Sequence, residues 1–314
     1  MRIRTDLALE VNEEVSKSDS SKKGIIVDEH TDKDTGIKVT TLKIINENGE
    51  HLLKRPKGTY ITIEADALSE LDDEYNTKTA QILAYYLGQF IEDFMGKTEN
   101  PFSILVVGLG NREVTADSLG PDVVENLLIN RHSSGQSEEK ILIAGLSPGV
   151  MAQTGMETAK IVKGIVTENE FDIVIAIDAL AARNSKRLNT TIQLSDTGIK
   201  PGSGVGNHRI GITQENIGVP VIAIGVPTVI DAPTIVNDAI DVFLNALSDN
   251  QTLKSISQTL NEYTQEEKYQ LIRELIEPGM ADMYVTPKDV DANIKVIGYT
   301  LSEAINIISG KDNS

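Results

Sequence analysis

The chain has 314 residues, 47 acidic against 29 basic side chains, a formal charge of −18, and neither cysteine nor tryptophan. The missing thiols exclude a thiolate zinc site, a cysteine nucleophile, a disulfide frame and an iron–sulfur cluster. So acidic a surface repels phosphate backbones, so no direct nucleic-acid binding is expected, and a basic protein would be the electrostatically steered partner.

Residues 1–23 turn polar and charged after Leu7-Ala8-Leu9-Glu10 and are expected to form a mobile N-terminal segment. Met1–Asp6 carries no apolar stretch with a cleavage site, so no signal peptide is expected and the cytosol is the default compartment. No apolar run approaches the roughly 20 residues that cross a bilayer, so no membrane partner is expected. Residues 24–65 read as a β-rich section. Gly24–Val27, Ile37–Ile44 and Thr59–Ile63 are rich in β-branched residues, and Asp34-Thr35-Gly36 and Asn48-Gly49 mark turns.

An α/β core is expected over 66–250. Ile82, Leu83, Tyr86, Leu87, Phe90, Ile91, Phe94 and Met95 recur at helical spacing, and Gly96-Lys97 suits the end of that helix. Apolar strands follow at Ser103–Val107, Ile141–Ala144, Phe171–Ile177 (ending at Asp178) and Val221–Val226. Helical stretches alternate with them at Val123–Ile129, Glu157–Val166 and 233–247. This pattern predicts an α/β fold with a mostly parallel central sheet covered by helices on both faces. Residues 251–314 read as a helical C-terminal section, punctuated by Val285-Thr286-Pro287.

In an open parallel sheet, ligands bind beyond the carboxyl ends of the strands. That rule selects the loops from Gly108-Leu109-Gly110-Asn111 to Asp117, from Ser147 through Gly149 to Gly155, and from Asp178 to Arg183. A further glycine-rich loop carries Gly202, Gly204 and His208. Gly108-x-Gly110 is no dinucleotide fingerprint, because Glu113 stands where the third glycine belongs. Asp117 and Asp178 are the chemically interesting pair. On neighbouring strands they would converge on one cleft, where two carboxylates share a proton and can activate water. Alternatively, Asp117 caps the helix entering at Pro121 and Asp178 satisfies loop N–H groups; spacing leaves both open. His30, His51, His132 and His208 form no His-x-x-x-His motif. No cofactor is expected.

The motifs resemble, in order, those of the germination proteases of spore-forming bacteria. They are Arg4–Glu10, Gly108–Asn111, Thr115–Pro121, Pro148–Thr158, Ile177–Arg183, Pro201–Asn207 and Val285–Lys288. The resemblance spans nearly the whole chain. It implies a fold similar to hydrogenase-maturation peptidases and a cytoplasmic, spore-core homotetramer that degrades small acid-soluble spore proteins. The family's proposed catalytic carboxylates fall on Asp117 and Asp178, with Ala116 in place of the usual proline. The glycine loops at 110, 149, 155, 202 and 204, with Asn111, would shape the cleft or supply backbone donors. The resemblance also implies a zymogen. Thr5-Asp6-Leu7-Ala8-Leu9-Glu10 has the layout of the family's substrate sites, which places self-cleavage between Asp6 and Leu7. Two other readings stand beside this one. One is a metal-dependent peptidase or maturation factor using His208 with the aspartates. The other is a non-enzymatic acidic protein that binds basic partners.

Overall fold

A computed structural model describes residues 7–10, 24–98, 100–133, 140–202, 209–248 and 263–310. Among these residues nine strands join in one sheet. They are β1 (Ile25–Thr31), β2 (Lys38–Ile44), β3 (Gly58–Glu64), β4 (Phe102–Gly108), β5 (Ile141–Leu146), β6 (Ile173–Ala182), β7 (Thr191–Ser195), β8 (Val221–Asp231) and β9 (Tyr284–Val285). The order is β1-β2-β3-β7-β8-β6-β4-β5, with β9 on the end of β8. Only β4–β5, β4–β6 and β6–β8 pair in parallel.

The α/β class is as expected, but the sheet is mixed rather than mostly parallel. The cause is β7, which runs antiparallel to both β3 and β8 and so fuses the N-terminal β-rich section to the parallel strands. The burial pattern explains why the fused sheet is stable. On one face, Ile61, Ile63, Ile175, Ile177, Ile192, Leu194, Ile222 and Ile224 form one core with the Asp73–Met95 and Val290–Ile308 helices. Those helices contribute Leu83, Leu87, Phe90, Ile294, Ile297 and Leu301, each worth about 1.5–3 kcal/mol if fully removed from water. On the other face, Leu105, Val107, Val174 and Val221 lie under Ala159, Val162 and Val166 of the Thr158–Asn169 helix. Helices therefore do cover both faces.

Local chemistry sets the remaining boundaries. Asp72 caps the long helix by accepting from Tyr75 N–H at 3.0 Å, and Gly96 closes it with φ +66°. Asn48-Gly49 does not turn. Asn46 accepts from Gly49 N–H at 3.1 Å and starts the Glu47–Leu53 helix, a cap that outweighs the dipeptide's turn preference. The helix expected from Val123 starts earlier, at Leu119, because Pro121 falls in the first turn, where a backbone donor is not required. β6 does not stop at Asp178 but continues to Ala182, paired with β8 through Ile230.

Residues 7–10 also depart from expectation. They are not a loose tail: Leu7, Ala8, Leu9 and Glu10 are all buried, and Ala8 packs with Ile25, Leu42, Ile44, Leu53 and Tyr60. Apart from these four, the N-terminal segment predicted over 1–23 lies outside the described residues.

Candidate active site

β4 delivers the chain into a turn that only glycine allows. Gly110 has φ +114°, and a Cβ there would sit 1.9 Å from the carbonyl oxygen of Asp117. At Gly108 a Cβ would lie 2.1 Å from the Gly120 carbonyl oxygen. The Gly-x-Gly spacing thus serves close approach of backbone to backbone. The chain then forms a 3₁₀ turn at Thr115–Asp117 and enters the Leu119–Glu125 helix.

Asp117 does not cap that helix. Its Oδ2 accepts from Asn111 N–H across the loop, at 2.8 Å. The turn is also braced from the sheet. The Thr228 hydroxyl, fully buried on β8, donates to the Ala116 carbonyl at 2.6 Å. The Thr286 hydroxyl in turn donates to the Thr228 carbonyl at 2.8 Å. Asp117 is therefore fixed by its own loop and by a two-threonine relay from the C-terminal part of the chain.

Asp178 lies on β6, beside β4, and is 6% exposed. It is aligned with Gly225 of β8, and Leu180 fills the space over that glycine. Asp117 and Asp178 open onto one cleft of about 310 Å³, together with Lys200, Gly202, Thr228 and Tyr284. Burial pushes the Asp117 carboxyl above its ordinary range, while the Asn111 N–H bond and the positive charge of Arg209 oppose the shift. The arrangement offers two carboxylates on one cavity, one of them inclined to hold a proton at a pH where aspartates ordinarily ionise.

The other expected site residues are placed less centrally. Asn111 holds the loop by accepting at its Oδ1 from Glu113 N–H at 3.0 Å and from the Gln153 amide at 2.8 Å. Gly149 and Gly155 flank the short Met151–Thr154 helix that carries Gln153. They do not line the cleft and act at one remove, through Asn111. Gly204 and His208 lie outside the described residues, as does Asp6. His30, His51 and His132 are exposed, and no group of three or more potential metal ligands occurs among the described residues. A second cavity, of about 270 Å³, opens at the far ends of β4 and β6 and is lined by Arg131 and Asp172. It brings no carboxylate pair together.

Three side chains that brace the Asp117 turn or hold residues 8–10 escaped the sequence reading. Thr228 gave no signal, because its role depends on where a neighbouring loop passes. Gln193 could have been found, since Thr191-Ile192-Gln193-Leu194-Ser195 alternates as a strand does. Gln193 accepts from Ala8 N–H. Arg187, 6% exposed, faces Glu10 and Glu64, both at 3.6 Å.

Comparison with known proteins shows what the chain is similar to. A family model described as germination protease matches residues 4–260. A germination protease of Caldanaerobacter subterraneus subsp. tengcongensis is 44% identical over 97% of this chain and 93% of its own. One of Clostridium acetobutylicum is 39% identical over 97% and 94%, and one of Bacillus subtilis 39% identical over 97% and 92%. Among the described residues no helix is long and apolar enough to cross a membrane.

Proposed function

The chain belongs to the germination protease family and is a protease, and on that premise we propose that Asp117 and Asp178 are its catalytic carboxylates. The observation that carries this reading is their meeting on one cleft, with the Asp117 carboxyl pushed up by burial. Asp178 takes a proton from a water molecule as that water attacks the peptide carbonyl carbon. Asp117, protonated, gives its proton to the departing amine. Lys200, which lines the cleft, supports the negative charge that develops on the carbonyl oxygen.

The substrates under this reading are small acid-soluble spore proteins, cut at the onset of germination in the spore core by a homotetramer. The chain is made as a zymogen and cuts itself between Asp6 and Leu7. The burial of Leu7 supports this, since the new first residue would already be seated in the fold. The test is incubation of purified protein with one small acid-soluble spore protein, followed by mass spectrometry. Cleavage by the wild type and none by Asp117→Asn or Asp178→Asn is expected. Full cleavage by either variant would remove the assignment.

A further inference from the structure

We propose that the buried carboxylate of Glu10 is an anchor that holds the chain's own N-terminal segment in register for the cut on the N-terminal side of Leu7. This rests on the self-processing reading and extends it to the residues that position the bond.

Glu10 is only 5% exposed. Both of its carboxylate oxygens accept from the Arg183 N–H, at 3.2 and 3.3 Å, and the Arg187 guanidinium lies 3.6 Å away. Arg187 is itself buried and also faces Glu64. Removing a carboxylate from water is costly unless charge and donors replace its hydration. Here a guanidinium and a backbone N–H supply both. The segment is held at a second point as well, where Ala8 N–H donates to the Gln193 side chain and the Ala8 methyl enters the cluster with Leu42 and Tyr60.

The register of the sheet shows where this leads. Gln193 is aligned with Gly225, and Gly225 with Asp178. Residues aligned across strands share a face. The Ala8 amide therefore hangs, through the Gln193 side chain, on the face that carries Asp178, and Gln193 and Asp178 stand about 10 Å apart across two strand spacings. The bond to be cut lies one residue, about 3.8 Å of chain, before that amide. With Glu10 clamped, Leu7 and Ala8 are held on the sheet face that carries Asp178; with Glu10 released, the segment can slide. Glu10 and Arg187 are thus positioning residues for an intramolecular cut and take no part in cleaving other proteins.

The test compares Glu10→Gln with the wild type in two forms, the full chain and a chain prepared to begin at Leu7. Gln keeps the shape and the Arg183 contact but removes the charge facing Arg187. In the full chain, the rate at which Leu7 appears as N-terminus and the bond cut are read by intact mass and N-terminal sequencing. The form beginning at Leu7 is assayed on an added protein substrate. Self-processing is expected to slow by about tenfold or more, the scale of one charged hydrogen-bonded contact, with cuts at neighbouring bonds. The form beginning at Leu7 is expected to stay within about twofold of its wild-type counterpart. Glu10→Asp, which keeps the charge but shortens the reach, gives the same comparison if Glu10→Gln does not fold. Unchanged rate and bond in the full chain would overturn the anchor. So would an equal loss in both forms, which would make Glu10 a support of the whole fold. A wild-type chain that cleaves added substrate yet never acquires Leu7 as its N-terminus would instead remove the self-processing reading.

Discussion

Replacing Thr228 by valine tests whether the Asp117 turn is held from the sheet and whether cleavage depends on it. The substitution keeps the side chain's shape and deletes one hydroxyl. That hydroxyl is fully buried and donates to the Ala116 carbonyl at 2.6 Å, one residue before Asp117. Its loss leaves a buried acceptor without this donor, at a cost of about 1–3 kcal/mol. The turn can relieve the cost only by moving, and Asp117 moves with it. A displacement of about 1 Å at a reacting group can cost on the order of 100-fold in rate. The expected result is a 10- to 100-fold fall in kcat (roughly 1.4–2.7 kcal/mol in the barrier), with KM within about twofold. Thr228→Ser, which restores the hydroxyl, is expected to recover most of the rate. Steady-state cleavage of a peptide spanning a substrate site supplies kcat and KM, and thermal melts confirm folding. Wild-type kcat in Thr228→Val would refute the reasoning, as would a Thr228→Ser variant no better than valine.

The Asp117 carboxyl sits above its ordinary range in the folded state, so the native chain binds a proton more readily than the unfolded chain. Stability attached to this group is therefore lost as pH rises through the folded value. Asp117→Asn is expected to melt higher than the wild type at neutral pH, with the difference closing below the ordinary aspartate range; an equal melting temperature at both pH values would contradict this. For the same reason self-processing should quicken as pH falls from neutral to mildly acidic, and a flat rate across that interval, followed by intact mass, would argue against a shared proton. Gly110→Ala is expected to lose activity and melt lower, because its Cβ would fall 1.9 Å from the Asp117 carbonyl oxygen at φ +114°; a variant with unchanged melting and cleavage would show that the turn is not tight. Dialysis against a chelator is expected to leave cleavage of a protein substrate intact; activity lost and then restored by one divalent ion would favour the metal-dependent reading.

The legible parts of this sequence were those where one physical requirement dominates. β4, β6 and β8 are buried on both faces, so their apolar runs stood out. The long helix announced itself by spacing and by Gly96. Asp117 and Asp178 were singled out because both follow apolar runs, at the end of the sheet where ligands bind, and the structure sets both on one cleft. The misplaced end of β6 has the same origin. A charge was taken to end the strand, whereas Asp178 sits inside it, where its Oδ1 accepts from Ala179 N–H and its side chain lines the cleft. β7 was missed because three of its five residues are polar, and its place depends on two strands distant in sequence. Glu10 was hidden by composition. Its surroundings read as a polar tail, and only Arg183 and Arg187, more than 170 positions away, make its burial tolerable.

The threonine relay also bears on synthesis. A ribosome produces Asp117 well before Thr228, and Thr228 well before Thr286. Nascent chains fold from the N-terminus as they emerge. Yet β6 cannot gain its β8 neighbour, nor the Ala116 carbonyl its donor, until more than two thirds of the chain exists. The last brace arrives only with Thr286. A growing or truncated chain therefore carries both carboxylates without a finished cleft. On the proposed assignment of the two carboxylates, the order of residues along the polypeptide keeps the protease from working before it is complete.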